Sequence, residues 1–208
     1  MIRTAIGKHV PVRRTNMAES KNIILCGIGG QGTILASKLI AAAAMKKNIP
    51  VMSAETIGMA QRGGSVFSHL RMGDNLYSPM IARGEADILI GFEPSETVRL
   101  LPFLKPDGQV ITASEGIMPV TSALTGGDYD SGEMLEYLSR TVKRLTIVDT
   151  ARLCAELGST KVMNVLLLGF AARSGALGLD TDDIREALKS RLPEKLWELN
   201  FKALEIST

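Results

Sequence analysis

The sequence is poor in the residues that carry hard chemistry. Two cysteines, Cys26 and Cys154, are all that its 208 residues contain. An iron–sulfur cluster usually takes four thiolates, so this chain does not hold one by itself. Both cysteines sit in apolar stretches, which argues against a disulfide framework and for a reducing, cytoplasmic setting. The only histidines are His9 and His69, and no His/Cys/Asp cluster has metal-ligand spacing. Neither a Gly-x-Ser-x-Gly elbow nor a Walker-type Gly-Lys-Ser/Thr occurs. Aromatic residues make up 4% and the formal net charge is +2. Base-stacking platforms and an electrostatic footprint for nucleic acid are therefore both missing. No apolar run approaches the length that spans a membrane. If this chain takes part in redox chemistry, the electron carrier is elsewhere.

What is present is one α/β domain's worth of chain, with 45% hydrophobic residues. Lys21–Ile40 reads as a strand, a glycine turn and a helix. Ile23–Cys26 is an apolar run of strand length. Ile34, Leu35, Lys38, Leu39 and Ala42 then repeat with helical spacing. Between them, Gly27-Ile28-Gly29-Gly30-Gln31-Gly32 fits G-x-G-x-x-G in its proper context. Glycines let the backbone turn and let a ligand approach, and the free N–H groups at a helix start attract an anion. Gly27, Gly29, Gly30, Gln31 and Gly32 are therefore candidate binding residues, with the Gln31 amide suited to a ligand or partner. The plain alternative is a tight turn that binds nothing. Pro50–Ala54 is a second strand and completes a βαβ unit. Glu55 at its end stands where a dinucleotide fold places an acid on the ribose hydroxyls.

Gln61, Arg62, Gly63 and Gly64 form a second loop, with a guanidinium beside two permissive backbones. Arginine clamps carboxylate or phosphate through parallel hydrogen bonds. A solvated turn is the alternative. Ser65–Met72 alternates as a strand, and His69 reads as a hydrogen-bonded sheet residue rather than a base. Ala86–Gly91 is a buried strand, followed by Phe92-Glu93-Pro94 at the end where ligands sit in open α/β sheets. A helix over Ser95–Leu104, a strand over Gln109–Ala113 and an irregular stretch Glu115–Gly132 follow. Thr146–Asp149 is a further strand and Ala151–Leu157 a helix ended by Gly158. Lys161–Ser174 is apolar nearly all round and predicts a buried helix. Its polar exception, Asn164, either caps and orients a loop or touches a ligand. Asp180–Asp183 caps the helix Ile184–Arg191, and Pro193 opens the last helix, Glu194–Ile206. There is no internal repeat and no second core. The expectation is a single Rossmann-like, three-layer α/β domain with a mostly parallel sheet. Met1–Ser20, basic and acid-poor until Glu19, reads as a disordered extension before a natural start at Met17, in preference to a targeting peptide.

This order of motifs resembles the gamma-type domain of the 2-oxoacid:ferredoxin oxidoreductases, from about Ile23 to Leu204. The carrying residues are Gly27–Gly32, Ser53–Glu55, Gly58–Gly64 with Ser65–Arg71, Ser78–Ile81 and Ala86–Pro94. Gln61–Val66 followed by Ser68–Arg71 is most similar to the small, beta subunit of the indolepyruvate branch. The resemblance makes residues 21–208 a pyruvate/ketoisovalerate oxidoreductase gamma-type domain. It implies oxidative decarboxylation of aryl 2-oxoacids to aryl-acetyl-CoA, with ferredoxin as electron acceptor. A large alpha subunit would carry thiamine diphosphate and the 4Fe-4S clusters, with coenzyme A as co-substrate. This chain would carry no catalytic residue of its own. Its Gly27–Gly32 turn and Gln61–Gly64 loop would face that subunit's active site and hold the phosphates of coenzyme A or shape the substrate cleft, with Glu55 and Asn164 as further candidate cofactor-binding residues. The partner implied is the large subunit, with ferredoxin reached through the complex, in a hetero-oligomer, or a homodimer in isolation. The competing readings are a gamma subunit of a pyruvate or 2-oxoglutarate enzyme, a stand-alone NAD-binding oxidoreductase, and a pure assembly subunit.

Overall fold

The computed structural model describes residues 20–56, 64–117 and 129–206. The chain opens with β1 (Lys21–Ile28), α1 (Thr33–Lys46), β2 (Val51–Glu55) and β3 (Ser65–Met72). Next come β4 (Ala86–Gly91), α2 (Pro94–Leu100), β5 (Leu104–Ala113), α3 (Ser131–Thr141) and β6 (Arg144–Val148). Four helices close it: α4 (Thr150–Glu156), α5 (Met163–Arg173), α6 (Thr181–Arg191) and α7 (Trp197–Glu205).

The strands form one sheet in the order β2-β3-β1-β4-β5-β6. β3 is antiparallel to both of its neighbours, and the other pairings are parallel. The mostly parallel α/β fold is as expected, but the adjacent βαβ unit is not: β3 lies between β1 and β2. Strand length and burial explain this. β3 pairs with β1 over eight positions, Lys21↔Met72 to Ile28↔Ser65. β2 has five residues, with Met52 and Ser53 exposed, and takes the edge. Glu55 is opposite Ser68 of β3 and so is two strand spacings, roughly 10 Å, from β1.

Alternation along the central strands splits the core. Ile23, Leu25, Leu70, Ile88, Ile90 and Ile111 face α1, α5, α6 and α7. Ile24, Cys26, Leu89 and Val110 face the other way, toward Leu100 at the end of α2 and Leu138 of α3. The α5 helix is apolar all round because it is enclosed, with Val165–Leu168 fully buried. The α6 helix starts on a reciprocal capping box between Asp180 and Asp183. The α3 helix, to which the sequence reading assigned nothing beyond Gly132, is amphipathic and capped by Asp130. No single described helix is long and apolar enough to cross a membrane.

His69 is a sheet residue. Its Nδ1 accepts the Ile81 N–H at 3.1 Å, and the Phe67 and Phe103 rings meet it edge-on. Nε2 is buried with no hydrogen-bond partner among the described residues. Burial disfavours the imidazolium and lowers the His69 pKa below its ordinary value. A depressed histidine pKa leaves stability intact above the unfolded value, about 6.5, and removes it as the pH falls below that. Urea midpoints should therefore drop between about pH 7.5 and about pH 5.5, and less so in His69→Gln. An equal drop in both proteins would show that His69 does not contribute.

Candidate functional site

The carboxyl ends of β1 and β4 mark the point where the strand order reverses, and in open α/β sheets ligands bind there. Here that gap is stitched by one side chain. Gln31 accepts the Ile28 N–H at 2.7 Å through Oε1 and donates through Nε2 to the Phe92 carbonyl at 2.8 Å. Gly27 makes this possible, since a Cβ there would stand 2.6 Å from Gln31 Oε1 and 2.7 Å from Phe92 Cβ. The amide expected to meet a ligand is thus used on the main chain. Gln31 shapes the turn, and its side chain also borders the cleft described below.

Gly30 and Gly32 have φ of +101° and +82°, where side chains are strained. Gly32 caps α1 without any side-chain bond, and the first turn of α1 holds no acid. The same is true of α5: no side chain caps it from Val162, and its first turn is acid-free. By contrast α4 is capped by Asp149, which accepts the Arg152 N–H at 3.1 Å. Two helix starts with positive dipole ends therefore converge, but at α5 the leading N–H groups are already in use, Met163 N–H donating to the Thr160 carbonyl in the 3-10 turn that enters the helix and Val165 N–H to Asn164 Oδ1. Asn164 bridges them. It is 4% exposed and its Oδ1 accepts the Val165 N–H at 2.9 Å. Its Nδ2 is 2.7 Å from where a Gly32 Cβ would stand.

These groups line a cleft of about 500 Å³. Gly30–Gly32 and Leu35 form one wall, and Glu115 and Ile117, just after β5, form another. Thr150, Ala151 and Cys154 of α4, with Thr160, Lys161, Met163 and Asn164, complete it. The Thr150 hydroxyl is buried without a partner among the described residues. Burial raises the Cys154 thiol pKa, so it is protonated and unsuited to attack. On the far side of the α1 start lies a second cleft of about 440 Å³, bounded by Ile28, Gly29, Thr33, Ile34 and Val66. The Thr33 hydroxyl is likewise buried and unpartnered among the described residues. The two clefts offer hydrogen-bond donors and apolar walls, which suit binding of an anion with an apolar body.

Of the residues expected at the site, Gly29, Gly30, Gln31, Gly32 and Asn164 come together. Gly64 joins them, its carbonyl accepting the Gly29 N–H at 3.0 Å. Glu55 is set apart by β3. Gln61, Arg62 and Gly63 lie outside the described residues. At the start of that stretch, Thr56 bonds the Phe67 carbonyl through N (3.0 Å) and Oγ1 (2.6 Å). Thr33, Thr150 and Lys161 escaped the sequence reading. Thr33 is signalled by its place after Gly32, whereas Thr150 and Lys161 are brought in by tertiary packing alone.

Gln31→Ala strands the Ile28 N–H and the Phe92 carbonyl and should cost about 1–3 kcal/mol in urea unfolding. Gly32→Ala should cost at least as much, because it meets both the positive φ and Asn164. A change within experimental error for Gln31→Ala would remove the stitch from the account.

Known proteins resemble this chain in sequence and fold. The model of the pyruvate ferredoxin/flavodoxin oxidoreductase family matches residues 22–207. The indolepyruvate oxidoreductase subunit IorB of Pyrococcus horikoshii is 33% identical over 190 residues, 89% of this chain and 93% of that protein. The pyruvate/ketoisovalerate oxidoreductases common subunit gamma of Thermococcus kodakarensis is 28% identical over 181 residues, covering 86% and 90%. The crystal structure of pyruvate oxidoreductase subunit PORC from Thermotoga maritima superposes with a TM-score of 0.66 at 19% identity, covering 90% of this chain and 94% of that one. The last shows a common fold. The first two, with the family match over nearly the whole chain, settle membership: this chain belongs to the pyruvate ferredoxin/flavodoxin oxidoreductase family.

Proposed function

We propose that the chain is the small, beta subunit of an indolepyruvate-type 2-oxoacid:ferredoxin oxidoreductase, and that its cleft holds the phosphates of coenzyme A. One observation carries the cleft assignment. The open, acid-free start of α1 borders it, with the positive dipole end of α5 beside it and Lys161 at the rim. The likeness to IorB at 33% identity, against 28% for a common gamma subunit, supports the indolepyruvate branch. A large alpha subunit would bring thiamine diphosphate and 4Fe-4S clusters. When bound there, those groups supply the carbanion sink and the electron exit toward ferredoxin.

The work left to this chain is binding and orientation. The α1 N–H groups and Asn164 Nδ2 would donate to phosphate oxygens, and Lys161 with the α5 dipole would add positive potential. Leu35, Ile117 and Met163 would exclude water from the coenzyme's apolar arm. Gln61, Arg62, Gly63 and Gly64 would extend the donor set from the neighbouring loop, where Arg62 suits a bidentate phosphate contact. Gln31 and Gly27 would hold the turn in shape. A cytoplasmic setting agrees with Cys26 and Cys154, which are both buried free thiols. A ribose-binding role for Glu55, as in a NAD enzyme, is disfavoured because β3 intervenes.

In enzyme reconstituted with the large subunit, Asn164→Ala, Lys161→Ala and Arg62→Ala should each raise KM for coenzyme A by up to about tenfold. The kcat should stay within about twofold, since the lost contacts bind ground state and transition state alike. Three unchanged KM values would overturn the coenzyme A assignment. Failure of the tagged chain to co-purify a larger, thiamine-containing partner from its source would overturn the subunit assignment.

A further inference from the structure

Glu93 follows the carboxyl end of β4 and is fully buried. Its partners are three uncharged donors. The Tyr129 hydroxyl donates to Oε1. The Ser95 hydroxyl, at 2.5 Å, and the Glu96 N–H, at 2.9 Å, donate to Oε2. The Glu93 carboxyl accepts from all three, and its Oε1 fixes where the Tyr129 hydroxyl sits.

Tyr129 in turn sits behind the cleft. Its ring occupies the space that a Cβ at Gly116 would need, with the hydroxyl 2.8 Å from that position. Gly116 lies between Glu115 and Ile117, the two residues that form the cleft wall after β5. The residue before Glu93 holds the opposite wall, because the Phe92 carbonyl receives the Gln31 amide of the glycine turn. One two-residue step off β4 thus anchors both sides of the same cleft. Burial and the bond to Glu93 both push the Tyr129 pKa up, which keeps the phenol a donor at any physiological pH.

We propose that Glu93 and Tyr129 are positioning residues: their hydrogen bond braces the Glu115–Ile117 wall at the separation from the glycine turn that the ligand needs. This rests on the reading of the cleft as the coenzyme A site, and Tyr129 acts through Gly116 rather than on the ligand. Neither residue is among the site candidates read from the sequence. Tyr129 falls in a stretch expected to be irregular, and Glu93 figures there only as part of Phe92-Glu93-Pro94 at the ligand end of β4.

The test uses Tyr129→Phe, which keeps the ring and removes the donor, and Glu93→Gln, with Tyr137→Phe as control. Tyr137 lies on α3 and is 47% exposed. Amide hydrogen exchange at Glu115–Ile117 is read on the isolated chain, and coenzyme A kinetics on the reconstituted enzyme. The expected result is faster exchange at that wall in Tyr129→Phe and Glu93→Gln, and none in Tyr137→Phe. KM for coenzyme A should rise about fivefold in Tyr129→Phe with kcat nearly unchanged. Unchanged exchange in Tyr129→Phe overturns the brace, even if Glu93→Gln fails to fold. So does an unchanged KM in Tyr129→Phe where Asn164→Ala raises it. If Asn164→Ala, Lys161→Ala and Arg62→Ala all leave KM unchanged, the coenzyme A reading falls. The brace is then decided by the exchange alone, faster exchange sustaining it and unchanged exchange overturning it.

Discussion

The carboxyl edge of the sheet depends on how the gap between β1 and β4 is closed. Two parallel strands that diverge into α1 on one face and α2 on the other leave main-chain groups facing each other across a crevice. Gln31 satisfies one group on each strand and so fixes the strand ends relative to one another. Gly27 has no side chain because that amide occupies its space, and Gly32 has none because Asn164 does. The glycine pattern is therefore as much a record of two side chains folding inward as of a ligand approaching from outside. The α1 start is left open as a result, and the donors that converge on the cleft are a by-product of the closure.

Local signals and long-range pairings were not equally legible. The strand–turn–helix at Lys21–Ile40, the buried run Ala86–Gly91, the enclosed helix around Val165–Leu168 and the Asp180–Asp183 cap follow from periodicity and side-chain chemistry within a few residues. Strand order does not. Whether β2 or β3 lies beside β1 is decided by which pairing buries more apolar surface, a comparison between segments far apart in sequence. The reading of Glu55 as a ribose ligand fell with that order. The α3 helix was missed because its start falls in a stretch whose glycines and proline read as irregular, and because it buries only Leu138 fully.

The site shows the same division. The glycines and Asn164 could be singled out because their types are unusual where they stand. That Asn164 would stand against Gly32, 132 positions earlier in the chain, could not be read from either neighbourhood. Nor could the role of Gln31 be read locally, since its two acceptor and donor partners belong to different strands. Polar residues in loops are ambiguous in sequence for this reason: an amide that completes the backbone and an amide that greets a ligand have identical local patterns.

The bond from the Gly29 N–H to the Gly64 carbonyl has a kinetic consequence. Gly64 reaches Gly29 only after β3 has docked on one side of β1, and Phe92 reaches Gln31 only after β4 has docked on the other. Both docking events close long stretches of chain and are slow relative to helix formation. The turn is thus among the last parts of the molecule to order. Its contacts contribute little to the barrier of folding, so substitutions there act mainly on how fast the finished protein opens.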